Sequence, residues 1–171
     1  MKILRLDSTP TDARGAVLMA DSAWRPDRRP LFMPESGADE VECEIRTAVR
    51  IDRLGKCINR QFALRYAGAI ALVAYVHSPE MLPWSDDSII QGTWIEGIAP
   101  IAYSSDIATG VFVPDSEAIA EAISTLSIGA TFKTGDVIIL PEVIARFKPS
   151  DHQLIDIKAE DGNSILTFKI K

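Results

Sequence analysis

The closing stretch LIDIKAEDGNSILTFKIK, Leu154 to Lys171, confines the fold of this chain more than any other part of it. Apolar and polar residues alternate on both sides of Asp161-Gly162-Asn163, and a period of two sends successive side chains to opposite faces of a strand. An Asp-Gly turn between two such segments predicts a β-hairpin, Leu154 to Glu160 against Ser164 to Lys171. Strand-like runs punctuated by turn residues recur at KILRL (2–6), GAVLMA (15–20), PLFM (30–33) and Glu40 to Ile51. The apolar run Ala69 to Val76 is short and β-branched enough for a buried strand. Helix enters at two places only: a short stretch around Asn59 to Tyr66, and an amphipathic helix that starts at Asp115 or Ser116, repeats Ile119, Ile123 and Leu126 on one face, and ends near Gly129. The region from His77 to Trp94, with two prolines and adjacent Asp86 and Asp87, reads as a long loop.

With 171 residues, 47% of them apolar and 25% charged, the chain suits one globular domain over 1–171. The net charge of −6 argues against a phosphate-backbone partner, and the one basic cluster, Arg25, Arg28 and Arg29, sits beside Asp27 in a predicted loop, so no nucleic acid is expected. The most apolar run, Ala67 to Val76, falls well short of the roughly 18 residues a membrane helix needs, and the start lacks a signal-peptide core, so the expectation is a cytoplasmic protein. Cys43 and Cys57 are expected as reduced thiols packed as small hydrophobes.

Within EVECEIR, residues Glu42, Glu44 and Arg46 share one strand face. That face is a metal site, an ion pair or plain surface, and the residues alone leave all three open. The segment Arg50 to Leu72, with EVECEI before it, LPW at 82–84, KTGDVII at 133–139 and the final TFKIK, resembles the fumarylacetoacetate hydrolase family, in particular its short single-domain bacterial members. The resemblance implies a β-rich mixed α+β fold, rolled mixed sheets around a pocket with few short helices, usually dimeric. It also implies a divalent metal on strand carboxylates that serves hydrolysis, decarboxylation or tautomerisation of 2-oxo acids.

The family strand reads approximately His-x-Glu-x-Glu. Aligned without gaps on Arg50-Ile51 and Leu54-Gly55-Lys56, the first metal Glu falls on Glu44, the second on Arg46 and the His on Glu42. The third carboxylate falls on Tyr75, a phenol that stays protonated and ligates Mg²⁺ poorly. A lysine near the metal and an Asp-Gly correspond to Ser88 and Gln91-Gly92, and the small residues that receive the substrate carboxylate correspond to Leu140 through Val143, where Glu142 repels an anion. A shifted alignment puts the carboxylate pair on Glu42 and Glu44 but needs two inserted residues before Arg50, and it leaves the metal one carboxylate short.

A guanidinium cannot lose its charge, so Arg46 and a divalent ion compete for one small space. At about 4 Å and an effective dielectric of about 20, each unit-charge pair repels by roughly 4 kcal/mol, doubled for a divalent ion. The expectation is therefore a Glu44–Arg46 cluster, with Glu42 or a Tyr75 hydrogen bond joining it, and no cofactor. Function is expected as a non-catalytic binding or assembly module, a homodimer or a partner of a family relative, with a small organic acid as a possible ligand. The alternative is an Mg²⁺- or Mn²⁺-dependent hydrolase, decarboxylase or tautomerase of acylpyruvates or oxaloacetate, with Glu44 as a ligand. His77 and His152 are read as ordinary surface, Ser104-Ser105-Asp106 as a turn or helix start, and Trp24, Trp84 and Trp94 as candidate linings of the pocket.

Overall fold

The structure, a computed structural model, describes residues 1–8, 15–26, 28–33, 41–78, 89–150 and 153–171. Two long strands carry the architecture, β4 (Glu42–Ile51) and β5 (Ala67–His77), paired antiparallel from Glu42 opposite His77 to Arg50 opposite Ala69. The run AGAIALVAYVH has scarcely a polar side chain because apolar neighbours cover both faces of β5. The other strands are β1 (Ile3–Leu6), β2 (Ala16–Met19), β3 (Trp24–Arg25), β6 (Ile89–Gln91), β7 (Ile95–Glu96), β8 (Ile101–Ser104), β9 (Thr109–Phe112), β10 (Val137–Phe147), β11 (Leu154–Lys158) and β12 (Ser164–Lys169). Among the described residues they form an eight-stranded sheet, ordered β2-β1-β10-β4-β5-β6-β3 with β7 also on β5, and a four-stranded sheet ordered β12-β11-β8-β9. The larger sheet is mixed, since β1 runs parallel to β10 and β3 parallel to β6.

The helices α1 (Arg60–Ala63) and α2 (Ser116–Gly129) start where the sequence says they should, with the Asn59 side chain accepting from Gln61 and the Asp115 side chain accepting from Glu117 and Ala118. One face of α2 places Ile119, Ala122, Ile123 and Leu126 in the main core, together with Ile45, Val49, Ile70 and Leu72 from one face of the large sheet and Ile155, Leu166 and Phe168 from the small one. The opposite face of the large sheet carries a smaller apolar cluster of Ile3, Ala48, Val73, Tyr75, Ile89, Val137 and Ile139, with Trp24 and Trp94 packed against it. Glu44 and Arg46 belong to this second face, because Ala48 and Arg46 lie two apart on β4. The C-terminal hairpin forms as the alternation requires, with Gly162 at φ +82° in its turn.

Three local expectations change. The PLFM segment makes a single bridge, Leu31 with Ile170, and follows β12 through backbone hydrogen bonds rather than joining as a full strand. The expected loop from His77 to Trp94 includes strand β6, whose three residues are too few to display a period. Cys43 is buried as expected, whereas Cys57 is exposed, at the positive φ of 50° that turns the chain toward α1.

The N-terminal strand is fastened by one buried acid. Asp136 accepts hydrogen bonds from the backbone N–H of Lys2 at 2.7 Å and of Lys133 at 2.8 Å, and pairs with the Lys2 ammonium at 2.5 Å. Burial alone pushes this carboxyl up, but the hydrogen bonds and charge of Lys2 outweigh it and hold Asp136 below the ordinary aspartate range. A depressed folded-state value gives stability that is complete above the unfolded value and is lost as the pH falls through the folded one. Asp136→Asn should therefore cost about 1.5–3 kcal/mol at neutral pH, and that deficit should shrink in urea denaturation below the ordinary aspartate range.

Candidate functional site

The face expected to hold the chemistry is assembled by strand register. Glu42 and Glu44 on β4 stand opposite His77 and Tyr75 on β5, and Arg146 on β10 stands opposite Glu44 from the other side. Glu44 is 2% exposed and Arg46 7%, so the pair is buried. The Arg46 Nε donates to Glu44 Oε2 at 2.7 Å, its Nη2 lies 2.6 Å from the same oxygen, and its Nη1 donates to the Leu6 carbonyl at 2.9 Å. The other carboxylate oxygen, Oε1, accepts from Arg146 Nη2 and lies 3.5 Å from His77 Nε2. Burial alone raises the Glu44 carboxyl, yet the Arg46 charge and the hydrogen bonds from Arg46 and Arg146 prevail and hold it below its ordinary value. Burial, followed by that same carboxylate, drives the neighbouring Cys43 thiol far up, so Cys43 is an inert core residue.

Tyr75 takes a different part from the one expected. Its hydroxyl accepts a hydrogen bond from Arg5 Nη1, while its ring faces the guanidinium groups of Arg5 at 4.7 Å and Arg46 at 5.5 Å and stacks on His77 at 5.0 Å. The electron-rich ring thus lies where two cations converge, and Asp7 pairs with Arg5 at 3.0 Å at the exposed rim. Gln91 lies on the same sheet face, one strand beyond Val73, and there it accepts from the Trp24 indole, which stacks on Trp94. Trp24 and Trp94 accordingly border this face, as the sequence suggested; Ser88, Trp84, Asp86, Asp87 and His152 lie outside the described residues. Glu142 does not join the cluster by any contact described: it stands exposed on an irregular part of β10, at a separate cavity of about 170 Å³ lined also by Leu6, Phe112, Asp115 and Leu140. Pro141 breaks the regular ladder at that irregularity because it has no N–H to donate.

His77, read from the sequence as ordinary surface, joins this face, as does Arg146, which the sequence did not single out. One ligand atom each from Glu42, Glu44 and His77 lie within 4.8 Å of one another, which is a spacing that can hold a metal ion. Within this group His77 Nε2 is buried and has no hydrogen-bond partner. A neutral imidazole with its lone pair toward a carboxylate is repelled, and either a proton or a cation between them removes the repulsion. The expectation of no metal site is thereby weakened. The shifted carboxylate pair, Glu42 and Glu44, has a third candidate ligand in His77, because moving two residues along β4 and two along β5 preserves their pairing: Glu44 faces Tyr75 and Glu42 faces His77.

No family model matches the chain, and no curated protein matches it in sequence. Solved structures do match over nearly its whole length. Maleylpyruvate hydrolase from Sphingobium sp. SYK-6, in complex with manganese(II) and pyruvate, is 17% identical at a TM-score of 0.77 over 99% of this chain and 69% of that one. Fumarylpyruvate hydrolase from Pseudomonas aeruginosa, in complex with Mn²⁺ and pyruvate, is 14% identical at 0.75 over 99% and 89%. The 5-carboxymethyl-2-hydroxymuconate delta-isomerase from Mycobacterium smegmatis is 19% identical at 0.74 over 99% and 76%.

Proposed function

From the fumarylacetoacetate hydrolase fold that this chain has, we propose that it acts on small 2-oxo acids with a divalent cation held by Glu42, Glu44 and His77. The carrying observation is the orphaned His77 nitrogen beside the two carboxylates. Carboxylate oxygens with one imidazole suit Mn²⁺ better than Mg²⁺, which prefers oxygen alone. Such an ion, when bound, polarises the oxo and carboxylate oxygens of an enolisable acid. The chain's own contribution is a fixed positive wall: Arg46 is tied to Glu44 and to the Leu6 carbonyl, and Arg5 to Tyr75, so neither group must reorganise as negative charge develops. A homodimer is proposed as the working form, on the resemblance of fold.

One observation favours a second reading. Both oxygens of Glu44 already accept from guanidinium groups, and Glu42 and Glu44 are balanced by Arg46 and Arg146 without any ion. On that reading the chain is a non-catalytic binding or assembly module with a fixed ion cluster in place of a cofactor.

Calorimetric titration with MnCl₂ and MgCl₂, paired with turnover assays on acylpyruvates and oxaloacetate, separates the two. The first reading expects stoichiometric Mn²⁺ binding tighter than Mg²⁺, its loss in His77→Ala, and metal-dependent turnover. Silence in both measurements at millimolar Mn²⁺ leaves the non-catalytic module.

A further inference from the structure

The two guanidinium groups on Glu44 are held unequally. Arg46 is 8% exposed at its side chain and anchored by a backbone carbonyl, whereas the Arg146 side chain is 56% exposed and is held near Glu44 by ion pairs with Glu44 and Glu42. The two arginines also occupy different sides of the carboxylate: Arg46 takes Oε2, and Arg146 takes Oε1, the oxygen that faces His77. Arg146 therefore sits on both carboxylates of the set that would ligate a cation, on the Glu44 oxygen shared with His77, whereas Arg46 holds only the other oxygen of Glu44.

A register fault in β10 puts it there. Val143 pairs with Arg46, and from that register the residue opposite Glu44 would be Ala145; a shift between Val143 and Ala145 brings Arg146 opposite Glu44 instead. One extra residue in the strand thus exchanges a methyl group for a guanidinium beside the buried carboxylate.

We infer that Arg146 is a built-in competitor cation, which occupies the Glu42–Glu44–His77 ligand set until a divalent ion displaces it. The inference rests on the cation reading proposed above. Charge decides the displacement. Glu42 and Glu44 against Arg46 and Arg146 sum to zero, so a divalent ion that enters while Arg146 remains leaves two unbalanced positive charges in a half-buried space. With Arg146 withdrawn into solvent the excess falls to one, which an acid ligand carrying a single carboxylate neutralises. Arg146 can withdraw at little cost because most of its surface is already in water and no backbone group holds it among its described contacts. The device makes the site weak for metal alone and stronger for metal together with an anion.

The test is Mn²⁺ affinity of the full chain by calorimetry, with electron paramagnetic resonance of free Mn²⁺ as the second readout, on wild type, Arg146→Gln and Arg146→Lys. Arg146→Gln should bind Mn²⁺ about ten-fold or more tightly than wild type, the order of effect one unit charge has at this range. Arg146→Lys, which keeps the charge, should stay near wild type. Thermal unfolding of each variant confirms the fold, and half-exposure of the side chain makes its loss tolerable. Tighter binding in Arg146→Gln than in a wild type that itself binds upholds the inference, whereas binding gained only in Arg146→Gln overturns it, because the native chain then has no displacement to show. Wild type that binds Mn²⁺ with an affinity unchanged or weakened in Arg146→Gln overturns the competitor and leaves the cation reading standing. Absence of binding in all three proteins overturns both.

Discussion

Arg46→Met should unfold at a markedly lower denaturant concentration than wild type, with a loss of about 3–5 kcal/mol, the cost of leaving a buried charge without its partner. The geometry puts this site at the severe end. Glu44 is 2% exposed and takes two contacts from Arg46 on one oxygen, and Arg46 also satisfies the Leu6 carbonyl, so the substitution strands a carboxylate and a backbone acceptor together. Arg146 cannot compensate fully, since it holds the other oxygen from a half-exposed position. A pH signature accompanies the loss. In wild type the Glu44 carboxyl is depressed, so its contribution is complete above the ordinary glutamate range and disappears as the pH falls through the depressed folded value. Without Arg46 the burial that raises the carboxyl prevails, and the variant should become less unstable relative to wild type on acidification. The double variant Arg46→Met, Glu44→Gln should recover a large part of the loss, because a neutral amide tolerates the desolvated position better. A single variant within about 1 kcal/mol of wild type, or a double variant no better than the single, would mean that the pair does not fasten this face.

The Glu44–Arg46 pair is legible in sequence because it is local: residues two apart on a strand share a face, and EVECEIR displays the period directly. The same holds for the C-terminal hairpin, where Asp161-Gly162 sets the turn and thereby the register, and for α2, whose Asp115 cap and apolar spacing are written within one segment. What eluded the sequence depends on pairing between distant strands. His77 and Arg146 meet Glu44 only through the β4–β5 register and a one-residue fault in β10, and neither quantity is encoded near the residues it positions. Tyr75 fell at the expected place beside Glu44, but its partner Arg5 comes from β1, across β10 and β4, so the hydroxyl bond was not visible in advance. Glu142 illustrates the same limit from the other side. Its alignment position put it where the family receives a substrate carboxylate, and the irregularity around Pro141 delivers it to a separate cavity.

Gly92→Ala should be severely damaging, for a reason unrelated to charge. Gly92 follows β6 at the point where the chain passes between the two sheets: its N–H donates to the Leu72 carbonyl of β5 at 3.0 Å, and the next N–H, of Thr93, donates to the Ile165 carbonyl of β12 at 2.7 Å. A methyl group at Gly92 would lie 2.4 Å from the Ile165 oxygen and 2.5 Å from the Leu72 oxygen, with Leu166 Cβ at 3.3 Å. Both close atoms are backbone, on the strands that flank the junction of the sheets, so no side-chain rotation relieves the clash and one sheet must move relative to the other. Overpacking of a core typically costs about 1–3 kcal/mol when side chains can give way; here they cannot, and a loss of about 3 kcal/mol or more follows, which is a lowering of Tm by at least about 6 °C in a domain of this size. Gly97→Ala supplies the control. Gly97 sits at φ +80° with nothing within 4 Å of an added methyl, so its substitution carries only the left-handed backbone penalty of about 1 kcal/mol. Thermal unfolding of the two variants side by side should therefore rank Gly92→Ala well below Gly97→Ala, and the reverse order would mean that the sheets do not meet at Gly92 as closely as described.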